Sequence, residues 1–205
     1  YWPAGGRSRK VAERNIALAF PQLSAAQQQA LAKHSSMATA ELMAESGHVW
    51  LRSTTHVQSL IVSCEGEEQI TTAVASGRGV IVLAPHLGNW EVVGLHVGML
   101  GHLVSLYEPP KLAGLGKMIK KARERSGATL VPTDTRGLAR LLKSVKRGNI
   151  SGILPDQVPS DVNAGRNSLF FGLKLALRFF DGQFFLLIIN RGFFKIIQAD
   201  KLFGH

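Results

Sequence analysis

The sequence predicts an α/β fold, with a mainly parallel sheet flanked by helices and a helical N-terminal portion. The chain has helical periodicity up to residue 77, and from Gly79 onward short apolar runs alternate with helical segments. The first of these runs, 79–84, is apolar and rich in β-branched residues, which is typical of a strand buried on both faces. We expect one domain over residues 1–205, with a helical portion (7–77), an α/β core (78–172) and an atypical C-terminal segment (173–205).

Three helices are expected in the N-terminal portion. The first covers Arg7–Phe20 and ends before Pro21, because a residue that precedes proline avoids the helical conformation. The second begins after Ser24, whose hydroxyl is a good N-cap, and has an apolar stripe. The third covers Glu67–Ala75 and is ended by Gly77.

The α/β core is expected to alternate strands at 79–84, 103–107, 128–131 and 150–154 with helices at 91–100, 113–125 and from 136 onward. Either Asp134 or Thr135 is the expected N-cap of the last of these helices. In parallel sheets, ligands bind at the loops that leave the carboxyl ends of the strands. The candidate segments for chemistry are therefore 85–91, 107–110 and 155–166.

Composition excludes several classes of protein. The 24 Lys and Arg residues outnumber the 14 Asp and Glu residues, giving a net charge of +10, but a hydrophobic content of 45% argues against a disordered polyelectrolyte. The single cysteine, Cys64, excludes a disulfide framework and any multi-cysteine metal site. No uncharged apolar run is long enough to span a bilayer. Because the chain begins at Tyr1 rather than at Met, we expect a fragment or a mature form, and a membrane anchor upstream of these residues stays open.

Positive charge is concentrated between residues 111 and 147. This window has eleven basic and two acidic residues, so its net charge is +9. The basic residues are Lys111, Lys117, Lys120, Lys121, Arg123, Arg125, Arg136, Arg140, Lys143, Lys146 and Arg147. One interpretation is a solvated surface that keeps the protein soluble. The other is a binding face for phosphate-bearing partners such as an anionic membrane, a phosphorylated substrate or nucleic acid.

The loop after the first buried strand has the residues of an acid–base site. It delivers His86 into a turn, Gly88 permits a tight return, and Asn89 is expected to cap a helix that begins near Glu91. A carboxylate folded back onto one imidazole nitrogen fixes the tautomer and strengthens the other nitrogen as a base. Since the loop has no Ser or Cys, the expected nucleophile is a substrate hydroxyl, and acyl transfer to an alcohol is the simplest reaction of that kind.

Other interpretations of these residues remain open at this stage. A His–Glu pair at this spacing is often structural, and zinc binding is a competing use. However, His96 and His102 are poorly spaced to complete a zinc site, and we expect no metal. Gly114 to Lys117 resembles part of a phosphate loop, but Met118 stands where Ser or Thr is required. A non-enzymatic binder of anionic membrane or nucleic acid, using the 111–147 face, is the alternative function, although aromatic residues do not interleave the basic ones.

The segment His86-Leu-Gly-Asn-Trp-Glu91 resembles the H-x4-D/E signature of the glycerolipid-type acyltransferase superfamily, in the form found in the bacterial lipid A biosynthesis acyltransferases. Further blocks resemble that family in order and spacing. They are Arg9–Ile16 with Phe20-Pro21, Tyr107-Glu108-Pro109, Arg125-Ser126-Gly127, Lys146-Arg147-Gly148 and Leu154-Pro155-Asp156-Gln157. The resemblance covers residues 7–172. The tail at 179–203 does not match, and we expect it to be divergent, truncated or read in another frame.

The resemblance implies an O-acyltransferase that moves a fatty acyl chain from acyl carrier protein or coenzyme A to a hydroxyl of a lipid A precursor, without a cofactor. It implies a location at the cytoplasmic face of the bacterial inner membrane. His86 is then the general base and Glu91 its partner. The residues implied in substrate binding are Asn89, Trp90, Tyr107, Arg125, Asp156, Gln157 and Arg166. The expected partners are acyl carrier protein, the lipid A precursor and the anionic inner-membrane surface, which a cationic face attracts, and no nucleic acid.

Overall fold

The computed structural model describes residues 6–154 with their side chains and, after them, the backbone of four strands at 166–170, 173–177, 184–190 and 193–198. In chain order the helices are α1 (Arg7–Ala19), α2 (Ala25–Leu51), α3 (Thr54–Ser59), α4 (Glu67–Ala75), α5 (Trp90–Leu100), α6 (Ala113–Glu124) and α7 (Thr135–Val145). The strands are β1 (Ser63–Glu65), β2 (Val80–Leu83), β3 (Leu103–Tyr107), β4 (Thr129–Pro132), β5 (Ile150–Ile153), β6 (Arg166–Phe170), β7 (Leu173–Leu177), β8 (Phe184–Asn190) and β9 (Phe193–Gln198).

The chain divides into two compact units. The first comprises 1–45 and 157–179, and the second comprises 46–156 and 180–205. The first unit contains α1, most of α2 and the antiparallel hairpin of β6 and β7. A capping box begins α2, because the Ser24 backbone N–H donates to Gln27 Oε1 at 2.9 Å while the Gln27 N–H donates to the Ser24 hydroxyl at 3.4 Å.

The second unit is built on a seven-stranded sheet with the strand order β1-β9-β8-β2-β5-β3-β4. The five strands from β8 to β4 are parallel to one another, and β9 is antiparallel to β8. Strand β5 lies between β2 and β3, so the carboxyl ends of these three strands are neighbours at one edge of the sheet. The predicted fold class, a mainly parallel sheet with helices and a helical N-terminal portion, is confirmed.

Helices cover both faces of this sheet. On one face, Val80, Val82 and Ile150 pack with Val93 and Val97 of α5. A second cluster, of Val104, Val131 and Leu141, packs α7 against β3 and β4. Asp134 is the N-cap of α7, and its carboxylate accepts a hydrogen bond from the Gly137 N–H at 2.7 Å. Of the two predicted N-caps, Asp134 and Thr135, the structure therefore has the first.

Several elements were not predicted from sequence. Helix α3 is a six-residue polar helix and β1 has only three residues, so neither is long enough to show a periodic pattern. The segment expected to be atypical contributes β8 and β9 to the large sheet. In the part of the chain that the structure describes, no helix combines the length and the apolar character needed to cross a membrane.

Candidate active site

The loop between β2 and α5 turns tightly. The Leu87 N–H donates to the Pro85 carbonyl at 2.7 Å, and Gly88 has a φ of +62°, a left-handed conformation that glycine adopts without strain. Asn89 occupies the predicted N-cap position of α5, but its side chain makes no capping hydrogen bond. The loop leaves His86 half-buried just beyond the carboxyl end of a buried strand.

The imidazole of His86 packs against Trp90, the first residue of α5. The two rings meet edge to face, with their centroids 4.4 Å apart and an interplanar angle of 72°. This contact restricts the orientation of the imidazole. The substrate-binding role that the family resemblance implies for Trp90 stays a prediction.

Glu91 lies one residue further along α5 and forms an ion pair with Arg123 of α6. The Arg123 Nη2 donates to Glu91 Oε1 at 2.5 Å, and its Nε donates to Oε2 at 3.0 Å. The Glu91 side chain is 5% exposed and the Arg123 side chain 31% exposed. A buried carboxylate needs such a partner, because an unpaired charge out of water is costly. The predicted approach of this carboxylate to an imidazole nitrogen of His86 stays a prediction.

Tyr107, at the end of β3, packs against the guanidinium of Arg123. The Arg123 guanidinium lies 5.4 Å from the centre of the Tyr107 ring, within the range of a cation–π interaction. The Tyr107 hydroxyl donates to the Gly116 carbonyl at 3.0 Å, which fixes the ring against α6. Tyr107 is thus linked to Glu91 through Arg123.

A cavity of about 270 Å³ opens beside these residues. Its polar lining includes His86, Glu91, Arg123 and Ser105. Its apolar lining comes from the strands and from α5, α6 and their loops: Val82, Ala84, Val93, Val97, Leu103, Leu106, Ala128, Leu130 and Leu154. The site therefore combines one titratable imidazole and one charge-compensated carboxylate with an apolar chamber, and a small or chain-like ligand fits such a chamber.

The remaining predicted residues are placed differently. Arg125 donates to the carbonyls of Val49 and Trp50 at the end of α2, at 2.6 and 2.8 Å, and burial lowers the pKa of its guanidinium. Among the described residues, it is not part of the cavity lining. Asp156 and Gln157 lie outside the described residues, and Arg166 is described only as the first backbone position of β6.

Arg123 is the main residue that sequence reasoning missed. It was counted with the basic surface, and Arg125 was chosen instead as a site residue. One signal existed: the buried positions of α6 are Gly116, Ile119 and Ala122, and Arg123 lies four residues after Ile119, at the border of the same face.

The basic residues of the window 111–147 are largely exposed. Nine of its eleven basic residues are exposed, the exceptions being Arg123 and Arg125. On α7, Arg140 and Lys143 are exposed while Leu141 is buried, and Lys146 and Arg147 follow the helix. The exposed basic residues of the window, on α6, on α7 and in the segments beside these helices, are together called the basic face below.

A second cluster of chemically active side chains lies outside the cavity lining, and one of its members is on α5. Cys64 of β1, Glu67 of α4 and His96 of α5 bring one donor atom each to within 4.8 Å of one another. The His96 Nε2 lies 2.9 Å from Glu67 Oε2. Burial, with the nearby Glu67, raises the pKa of the Cys64 thiol to about 11, so the free thiol is protonated at neutral pH. Sequence spacing had set His96 aside, because its partners are distant along the chain.

The comparison that decides the family is a match to the family model for bacterial lipid A biosynthesis acyltransferases, over residues 3–174. The chain belongs to this family. The match includes β2, the His86 loop, α5, α6 and every described residue of the cavity lining. The family resemblance inferred from sequence is confirmed.

Curated relatives of this acyltransferase-family chain include two at low identity. The chain is 23% identical over 151 residues to the lipid A biosynthesis palmitoleoyltransferase of Escherichia coli (strain K12), covering 74% of the chain and 48% of the relative. It is 24% identical over 152 residues to a lipid A biosynthesis acyltransferase of Haemophilus influenzae, covering 74% and 47%. The chain thus spans about half the length of the curated relatives it matches.

Proposed function

We propose that this chain carries the catalytic centre of an O-acyltransferase, which moves a fatty acyl group from a thioester to a hydroxyl of a lipid A precursor. The observation that carries the proposal is the position of His86, in the lining of a mainly apolar cavity that the Glu91–Arg123 ion pair also lines. Family membership supports the same reaction class. The names of the relatives support lipid A as the acceptor.

In the proposed mechanism, His86 is the general base. An imidazole nitrogen takes the proton of the acceptor hydroxyl as its oxygen attacks the thioester carbonyl carbon. The new C–O bond forms first, giving a tetrahedral intermediate. Its collapse breaks the C–S bond, and the imidazolium returns the proton to the leaving thiolate. The reaction needs no resident cofactor, since the thioester supplies the activated acyl group.

Glu91 is proposed to stabilise the imidazolium that forms during transfer. The carboxylate lies in the same cavity as His86, and its charge is held in place by two hydrogen bonds from Arg123. Each carboxylate oxygen has a further lone pair, so the bond to Arg123 does not exhaust the acceptor capacity of Glu91. Trp90 and Tyr107 act as positioning residues, the first on the imidazole and the second on Arg123.

The cavity and the basic face suggest how substrates are bound. The apolar lining fits the part of the acyl chain next to the thioester. The basic face fits acidic acyl carrier protein, the phosphates of a lipid A precursor and the anionic surface of the inner membrane. A location at the cytoplasmic face of that membrane follows, because carrier-bound acyl groups are cytoplasmic and the acceptor is a membrane lipid.

The test is a transfer assay with the purified chain, a thioester donor and a lipid A precursor in mixed micelles. Acyl carrier protein and coenzyme A thioesters are supplied in separate arms, and the product is identified by mass spectrometry. We expect a mass increase of one acyl group, and a fall of at least about 100-fold in rate for His86→Gln. A matched control, His102→Gln, changes an exposed histidine outside the cavity and is expected to keep the wild-type rate.

The same experiment separates catalysis from simple binding. If the chain transfers no acyl group from either donor, or if His86→Gln retains full activity, the catalytic proposal is wrong. The basic face alone then accounts for the protein as a binder of anionic surfaces. That alternative predicts steeply salt-dependent binding that is the same for wild type and His86→Gln.

A further inference from the structure

We propose that Cys64, Glu67 and His96 form a binding site for a divalent transition metal of the zinc class. The proposal is independent of the acyltransferase function. It depends on the approach of three different donor types from three separate elements, β1, α4 and α5.

The geometry needs little adjustment to hold a metal. The three donor atoms already lie within 4.8 Å of one another, and the imidazole nitrogen is 2.9 Å from the carboxylate oxygen. In a tetrahedral zinc site, with Zn–S near 2.3 Å and Zn–N near 2.0 Å, donor atoms are separated by about 3.3–3.6 Å. The pair of His96 and Glu67 therefore has to open by a few tenths of an ångström, and the thiol has to approach by at most about 1.3 Å. Side-chain rotations cover these shifts.

The donor set favours zinc-class metals over other divalent cations. One thiolate, one imidazole and one carboxylate match the ligands of zinc and cobalt, whereas magnesium and calcium take oxygen ligands almost entirely. When the metal binds, the imidazole, the carboxylate and the thiolate become its ligands. The thiol proton and any imidazolium proton are then released to solvent. With three ligands from the described residues, the fourth position is left for water.

The site is separate from the candidate active site. None of the three residues lines the His86 cavity. On α5, His96 lies five positions after Glu91, which places their side chains about 140° apart around the helix axis. A metal here ties α5 to α4 and β1 on one side, while the other side of α5 carries Glu91. Its expected role is structural: it fixes the helix that presents the catalytic carboxylate.

The chain itself supplies a specific optical probe for this site. Cys64 is the only cysteine among the 205 residues, so any thiolate-to-cobalt charge-transfer band has to arise from it. We would titrate the untagged, chelator-treated chain with Co²⁺ under a thiol-free reductant, and follow the near-ultraviolet charge-transfer band. We expect saturation at one equivalent, displacement of Co²⁺ by Zn²⁺, and a rise in the thermal midpoint of unfolding with Zn²⁺.

Variants distinguish a three-ligand site from cobalt on a lone thiol. We expect His96→Gln and Glu67→Gln each to weaken Co²⁺ binding at least about tenfold, because even loss of an outer-shell partner of a metal ligand costs 10- to 100-fold. His34→Gln and Glu41→Gln, exposed positions on α2, serve as matched controls and keep the wild-type affinity. The proposal is overturned if wild type gives no charge-transfer band, or if either cluster variant, shown to be folded by circular dichroism, binds Co²⁺ as tightly as wild type.

Discussion

At the scale of the residue, the site is organised around the charge of Glu91. The carboxylate is 5% exposed and accepts two hydrogen bonds from one guanidinium, a bidentate geometry that a lysine cannot reproduce. The same guanidinium faces the Tyr107 ring. Two side chains, one from α6 and one from β3, therefore stabilise the buried charge on α5, in the cavity that His86 also lines.

Removing the Arg123 guanidinium leaves the negative charge of Glu91 without a positively charged partner. We expect Arg123→Met to lower the free energy of unfolding by about 1–3 kcal/mol, the cost of leaving a buried polar group unsatisfied. Urea denaturation followed by circular dichroism measures this. The double variant Glu91→Gln with Arg123→Met removes both charges, and we expect it to be more stable than the single Arg123→Met. Equal stability of the two variants would show that the ion pair does not hold Glu91.

The sequence predicted some of these residues and not others. His86 and Glu91 stand in one contiguous motif, so the pattern identifies them, and the structure brings both to one cavity. The choice between Arg123 and Arg125 depends on which of two nearby helical positions faces the cavity. Arg125 instead binds the carbonyls of Val49 and Trp50, more than 70 residues away in sequence, and no local pattern encodes that contact.

At the scale of the element, α5 forms one wall of the cavity. Trp90, Glu91, Gly94 and Val97 line the cavity at successive turns. Gly94 has open space where a Cβ would project, since no heavy atom lies within 4 Å of that position. A larger side chain there enters the cavity rather than clashing with the protein.

Gly94→Leu is therefore expected to shorten the preferred acyl chain without unfolding the protein. If the leucine excludes about two methylene groups of the donor, the lost burial is about 1.6 kcal/mol, or about tenfold in kcat/KM for the longer donor. Rates with a series of acyl carrier protein thioesters of different length measure the shift. Gly114→Ala, at an open position outside the cavity lining, is the control and leaves the preference unchanged. A uniform loss with every donor would contradict this use of the cavity.

A different glycine shows how α7 packs on β4. A Cβ added at Gly137 would meet the backbone carbonyl of Pro132, which cannot rotate away. We expect Gly137→Ala to destabilise the protein by about 1–3 kcal/mol, as overpacking of a close contact does. Gly114→Ala, in open space on α6, is expected to stabilise it by up to about 1 kcal/mol, because alanine is the better helix former. Thermal unfolding of the two variants and wild type tests whether the first substitution lowers the stability and the second raises it. Equal effects of the two substitutions on stability would refute the close contact at Gly137.

The elements differ in how well sequence defines them. Helix α4 and strand β3 have the predicted bounds, because each ends at a glycine or at a change from apolar to polar residues. Helix α3 and strand β1 are too short for periodicity to emerge. The positions of β8 and β9 in the sheet depend on pairing with β2 and β1, which are more than 100 residues away in sequence.

At the scale of the whole molecule, the excess charge of +10 is concentrated in one window of the second unit, the basic face. Its exposed Lys and Arg residues lie on α6, on α7 and in the segments beside these helices. Such a face gives long-range attraction to anionic partners that salt screens within about 10 Å at 0.1 M ionic strength.

We expect the chain to bind vesicles that contain anionic lipid and to bind neutral vesicles weakly, with affinity falling as salt is added. Reversing two charges, Arg140→Glu with Lys143→Glu, is expected to weaken binding about tenfold or more. Lys33→Glu, an exposed position on α2, is the control and should have a smaller effect. Sedimentation of vesicles at several ionic strengths gives the comparison. Equal binding to neutral and anionic vesicles would exclude the electrostatic role of the basic face.

The most direct test of His86 as the base is chemical rescue. His86→Ala leaves a space of imidazole size beside Trp90, in the lining of the cavity. We measure acyl transfer by wild type, His86→Ala and His102→Ala, with and without added imidazole. General-base catalysis by His86 predicts that only His86→Ala loses transfer and that imidazole restores part of its rate in proportion to the imidazole concentration. Full activity of His86→Ala without imidazole would contradict it.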